Sequence, residues 1–79
     1  MNKQEIFTTL KEVMIELFEL EHEEVHVDAN LYEDLDLDSI DAVDLAVKIT
    51  EITGKRVDPE DFKKVRTVQD LVDTAHKML

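Results

Sequence analysis

The sequence predicts an all-α fold: a four-helix bundle with a long first loop and a short third helix. Three observations carry this. Apolar residues recur with helical spacing in three separate segments. Glycine and proline occur once each, at Gly54 and Pro59, too few for the many tight turns of an all-β chain. Asp or Thr stands before the later helical segments with an acid three residues on, the pattern of a capped N-terminus.

In order along the chain, residues 3–20 read as an amphipathic helix, with Ile6, Phe7, Leu10, Val13, Met14, Leu17 and Phe18 on one stripe. Residues 21–37 have no helical period. Val25, Val27, Leu31, Tyr32, Leu35 and Leu37 stand alone among acids, so this segment reads as a long ordered loop tacked onto the bundle by its apolar side chains. Loops of this length in small domains are usually functional. A second helix is expected from Ser39 to Thr53, with Asp38 as N-cap, Asp41 completing a capping box, and Gly54 as the stop. Asp58 and Pro59 open a short third helix over about residues 59–64. Thr67 and Asp70 open a fourth, whose Val68, Leu71, Val72, Ala75 and Met78 form its stripe. No repeat, linker or low-complexity segment divides the chain, so residues 1–79 are expected to form one domain.

The absence of cysteine excludes disulfides, thiolate metal sites and cysteine catalysis. The opening MNKQEIFTTLKEV holds no apolar run with a cleavage site, and no stretch approaches the roughly 20 apolar residues of a transmembrane helix. A cytoplasmic protein without stable membrane insertion, and a monomer, is the expectation. Net charge is −11, and between Lys11 and Lys48 there are 13 acids and no Lys or Arg. Five of the nine bases follow, at Lys55, Arg56, Lys63, Lys64 and Arg66. Such a field repels nucleic acid and anionic membrane and attracts basic protein surfaces.

The second helix differs from its neighbours in carrying two apolar stripes. Ala42, Leu45, Ala46, Ile49 and Ile52 fall on one side, and Ile40, Val43 and Val47 nearly opposite, bordered by Asp44 and Glu51. A helix gripped on both sides by a bundle has this pattern. So does a docking strip for a partner with an apolar groove and basic rim. Ser39, one residue before Ile40, favours docking.

The stretch DLDLDSIDAVDL, residues 34–45, invites a calcium reading that fails in detail. An EF-hand loop starting at Asp34 needs glycine where Ser39 stands and glutamate where Leu45 stands. No metal is therefore expected. The three histidines, His22, His26 and His76, are scattered among solvated positions, and no catalytic constellation is expected. Ser39 has the better chemistry. It lies in the first turn of a helix, where backbone N–H groups are unpaired and the dipole favours negative charge. The flanking acids oppose free anions, so a phosphate here is expected to be covalent, placed by an enzyme that recognises the acidic surface.

The segment EDLDLDSIDAVDLAVKI, residues 33–49, resembles the acyl carrier protein signature around its D-S-L motif, and RVDPEDFKKVRTVQDLV, residues 56–72, is similar to the family's third helix and the opening of its fourth. The resemblance implies a non-catalytic carrier with 4′-phosphopantetheine attached to Ser39 through a phosphodiester. Coenzyme A donates the group and a phosphopantetheinyl transferase makes the bond. Acyl groups then travel as thioesters between enzymes of fatty-acid, polyketide or related lipid biosynthesis. It further implies that helix two meets the transferase and acyl-processing enzymes through basic docking surfaces. Asp38 is expected to cap the helix and face partners, Asp41, Asp44 and Glu51 to engage partner bases, and Ile40, Val43 and Val47 to supply apolar contact. A core lined by Phe7, Phe18, Leu45, Ile49, Phe62 and Leu71 is expected to loosen around an acyl chain.

Five positions depart from the family pattern. Ile40 replaces the leucine after the serine. Asp36 stands where the family usually has glycine. Thr53 stands where many members have a core aromatic, and Lys55 and Arg56 add positive charge. These departures suggest a specialised carrier. A peptidyl or D-alanyl carrier shares the arm but loads aminoacyl groups. An unmodified acidic helical interaction module would dock without any arm.

Overall fold

The computed structural model describes residues 2–79. Its elements are α1 (Lys3–Phe18), a 3-10 turn (His22–Glu24), α2 (Ser39–Thr53), α3 (Pro59–Phe62) and α4 (Val68–Lys77). No strand occurs among the described residues, and an isolated antiparallel bridge joins Asn30 to Thr67.

Reciprocal capping boxes open the three longer helices. Asn2 and Glu5 cap α1, Asp38 and Asp41 cap α2, and Thr67 and Asp70 cap α4. Each satisfies backbone donors that the first helical turn leaves without a partner. The ends of α2 fall where the sequence predicts. Gly54 adopts φ 72° and its N–H donates to the Thr50 carbonyl at 2.8 Å. Only a left-handed residue ends a helix this way, and glycine does so without a Cβ clash.

α1 is shorter than the predicted 3–20. It ends at Phe18 because Glu19 turns left-handed, at φ 54°, which reverses the chain and brings Leu20 against the core. α3 spans four residues rather than 59–64, closing as Lys64 N–H and Val65 N–H donate to the Asp61 and Phe62 carbonyls. Within the predicted loop, His22–Glu24 forms a 3-10 turn whose Glu21 and Glu24 cap one another.

α1 lies mainly against α4. Ile6, Leu10 and Met14 of α1 meet Leu45 and Ile49 of α2 and Val68, Leu71, Val72 and Ala75 of α4 in one core. Val25, Leu31, Leu35 and Leu37 are buried with them, so the loop is tacked down as expected, with Tyr32 half-buried. Val27 is the exception and faces solvent. Its carbonyl is used instead, accepting from Gln69 N–H at 2.9 Å, while Ala29 accepts from Val68 N–H at 3.0 Å. The loop thus satisfies the first donors of α4 that its own capping box leaves.

The expected aromatic lining needs correction. Phe7, Phe18 and Phe62 are half-buried and pack around an aliphatic centre. Lys11 Nζ sits 5.7 Å from the Phe7 ring centroid, so that ring is placed at the solvent boundary, where a cation can cover its face. No buried polar or charged side chain occurs among the described residues.

Candidate functional site

The loop before α2 is shaped by its own acids. Asn30 Oδ1 accepts from Tyr32 N–H and Glu33 N–H, at 2.9 and 3.0 Å, and Asp34 Oδ2 accepts from Asn30 N–H at 2.7 Å. Leu37 N–H returns to the Leu31 carbonyl at 3.0 Å. Between them Asp36 takes φ 59°, the left-handed conformation that glycine adopts most freely and aspartate tolerates better than most residues. The aspartates at 34, 36 and 38 therefore do three separate jobs: a turn clamp, a left-handed corner and a helix cap. Among the described residues no cluster of three or more His, Asp or Glu is arranged to hold a metal ion.

Ser39 follows as the first residue of α2 and is exposed. It is the only serine of the chain. The structure modifies the expected anion chemistry at this tip. Ile40 N–H and Asp41 N–H, the donors a phosphate would use, already donate to Asp38 Oδ1 at 3.0 Å each. The Asp41 carboxylate in turn accepts from Asp38 N–H at 3.1 Å. A free anion would have to displace this carboxylate, so only a covalent link retains a phosphate at the serine.

Helix α2 separates its faces as the two stripes suggest. Ala42, Leu45 and Ile49 are buried, with Ala46 and Ile52 half-buried beside them. Ile40, Val43 and Val47 are 72%, 62% and 51% exposed. The second stripe is therefore not core. Asp44 and Glu51 are exposed along it, Glu51 within 3.4 Å of Lys48 Nζ in a solvent-exposed pair. Asp38 and Asp41 have their carboxylates engaged in the cap, which leaves Asp44 and Glu51 as the freer acids of the expected partner-facing set.

Ser39 opens onto a groove of about 690 Å³. Ala42, Val43, Ala46 and Val47 of α2 form one wall, and Val57 and Phe62 another. Phe62 is thus groove wall, which accounts for its partial exposure. Tyr32 and Thr50 also border the groove, and Ile40 lies outside it. Two bases not expected here, Arg56 and Lys63, line it as well. They lie seven residues apart across a helix, so their meeting had no signature in the sequence beyond the basic cluster after α2.

Comparison with known proteins decides the family. The family profile described as "Phosphopantetheine attachment site" matches residues 8–75. The chain is 46% identical over 79 residues to Acyl carrier protein 2 of Ralstonia nicotianae, covering 100% of this chain and 98% of that one. The chain belongs to the acyl carrier protein family. Other acyl carrier proteins of similar length agree. That of Coprothermobacter proteolyticus is 36% identical over 73 residues, 92% of this chain and 89% of its own, and that of Thermotoga maritima is 35% identical over 78 residues, 99% and 96%. Acyl carrier proteins carry and do not catalyse, and their prosthetic group is 4′-phosphopantetheine. The residues of this carrier fit that group: an exposed hydroxyl stands at a helix tip beside an open, largely apolar groove. As a carrier it works with a phosphopantetheinyl transferase and with acyl-processing enzymes. Among the described residues no helix is long and apolar enough to cross a membrane.

Proposed function

We propose that this chain is a single carrier domain that holds 4′-phosphopantetheine on Ser39 Oγ. It delivers acyl intermediates between enzymes of fatty-acid, polyketide or related lipid biosynthesis. The observation that carries this is the lone serine, exposed on the first turn of α2 and facing a groove. When attached, the group supplies a terminal thiol that holds acyl groups as thioesters. The chain's own residues do the rest. Asp38 and Asp41 fix the helix tip, so the hydroxyl stands in one position for the modifying enzyme. The apolar walls beside it shelter the hydrocarbon part of a cargo.

Partners read the outer face of α2. Ile40, Val43 and Val47 bury apolar area at the contact, and Asp44 and Glu51 steer a basic surface toward it. Asp38 and Asp41 contribute charge to that field while remaining caps. The net charge of −11 argues against nucleic acid and anionic membranes as partners and supports a monomer, which we place in the cytoplasm.

Incubation with coenzyme A and a broad-specificity phosphopantetheinyl transferase tests the assignment by intact mass. The expected result is a gain of one phosphopantetheine, lost in Ser39→Ala. An unchanged mass, in an assay where a known carrier is modified, rejects the carrier and leaves an acidic docking module in its place.

A further inference from the structure

The charge of this carrier changes sign along its partner-facing helix. Asp38, Asp41 and Asp44 surround the serine end of α2, and the first base of the helix, Lys48, is taken up by Glu51. Past Gly54 the pattern inverts. Residues 55–66 hold five bases against three acids, in a chain whose remainder holds four bases against 17 acids. Two of the five are used locally. The Arg66 guanidinium donates to the Lys63 and Val65 carbonyls, at 2.8 and 3.1 Å, and closes the end of α3. Lys64 borders a recess with Asp61, Asp70 and Asp73. Lys55, Arg56 and Lys63 remain, all exposed. Lys55 and Arg56 are in no ion pair among the described residues, and Lys63 Nζ lies 3.6 Å from Glu60 Oε1 in a loose surface pair. The nearby Asp58 carboxylate accepts from Glu60 N–H at 2.9 Å. Arg56 and Lys63 border the same groove as Val43 and Val47, so the cations adjoin the outer apolar stripe. The 15 residues of α2 span about 22 Å. The acids beside the serine and these bases therefore mark opposite ends of one exposed surface.

A docking surface that is basic throughout would gain at the serine end and lose at this corner. We propose that the enzyme this carrier serves presents a bipolar docking surface. It is basic where it meets the serine end of α2, and acidic about 20 Å away, where it meets Lys55, Arg56 and Lys63. The acidic patch fixes the direction in which the carrier lies on its partner, and the bases disfavour enzymes whose docking surface is uniformly basic. A second copy of this chain is a poor occupant, because two bodies of charge −11 repel one another, and the same field opposes nucleic acid and anionic membranes. This rests on the reading of α2 as the partner-facing helix.

Two helical peptides of about 20 residues, long enough to cover α2, serve as probes. They share an apolar stripe and a lysine-rich first half. The second half carries glutamates in one and glutamines in the other. Fluorescence anisotropy gives the Kd of each, at low salt, for the wild type, for Arg56→Gln/Lys63→Gln, and for Lys3→Gln/Lys11→Gln, which has the same net charge as that variant. The preference for the glutamate peptide over the glutamine peptide is expected to be roughly three- to tenfold greater in the wild type than in Arg56→Gln/Lys63→Gln. Lys3→Gln/Lys11→Gln is expected to match the wild type, and the difference is expected to vanish at high salt. Equal preference in the wild type and Arg56→Gln/Lys63→Gln overturns the proposal, and so does an equal shift in both variants, which would reflect net charge alone. Self-association of the chain in sedimentation, or its binding to phosphatidylglycerol vesicles, reassigns the corner and overturns the proposal if Arg56→Gln/Lys63→Gln abolishes it. A glutamine peptide that does not bind the wild type identifies the docking role of α2 as the fault and removes this proposal with it.

Discussion

The two apolar faces of α2 have similar side chains and opposite fates. Leu45 and Ile49 are fully buried against α1 and α4, while Ile40 and Val43, on the same helix, stay mostly in water. Periodicity found both stripes but could not say which one a neighbour covers. An apolar stripe is a demand for a partner, and only tertiary structure shows whether that partner belongs to the same chain. The inner face meets this demand within the fold. The outer face, beside the lone serine, leaves it open.

Substitutions on the two faces should separate these roles. Leu45→Ala removes fully buried methyl groups and is expected to cost about 2–5 kcal/mol, a large share of the stability of so small a domain, measured by denaturant unfolding. Asp38→Ala releases Ile40 N–H and Asp41 N–H together and should cost about 1 kcal/mol. It should also slow modification of Ser39 by loosening the tip, read as a fall in transferase kcat/KM. Asp36→Val forces a β-branched side chain into φ 59° and should cost about 1–2 kcal/mol, with Asp36→Gly near neutral by the same unfolding measurement.

On the outer face, Val43→Ala/Val47→Ala should change stability by less than about 0.5 kcal/mol per site. It should weaken transferase binding by roughly fivefold, about 1 kcal/mol. A large loss of stability with intact binding would return this stripe to the core.

The smallest effect is electrostatic. Hydrogen bonds from Lys3 Nζ and then Gln69 Nε2 to Asp73 Oδ1, both 2.9 Å, hold the Asp73 carboxyl below the usual carboxylate range. A lowered folded-state value adds stability above the unfolded value, and this is lost as pH falls through the folded one. Both side chains are well exposed, so the contribution is less than about 1 kcal/mol. Lys3→Met should therefore lower Tm slightly at neutral pH, and the difference from wild type should vanish in acid.

Much of this fold was legible because its signals are local. The reciprocal pairs Asp38 with Asp41 and Thr67 with Asp70 mark helix starts within four residues of chain, and Gly54 marks an end. The end of α1 was not legible, since Glu19 is an ordinary helix former that turns left-handed only because Leu20 is drawn into the core. The half-burial of Phe7, Phe18 and Phe62 was equally hidden, because a helical stripe does not say which of its members reaches the centre. At the site, the exposed serine and the two stripes of α2 could be read ahead. The neutralised helix tip could have been inferred from Asp38, since a cap occupies the same N–H groups that a phosphate would use.

By itself, the sequence determined where the helices begin, the single serine at a capped tip, and an acidic field over the first half of the chain. These depend on neighbours three or four residues apart and on summed charge, both independent of how helices pack. Tertiary packing alone decided that the second stripe of α2 lies outside the core and that Phe62, Arg56 and Lys63 stand with Ser39 around one groove. Those placements join residues that are distant along the chain, and they follow from burying the larger apolar surfaces first and leaving the remaining side chains to line the groove between them.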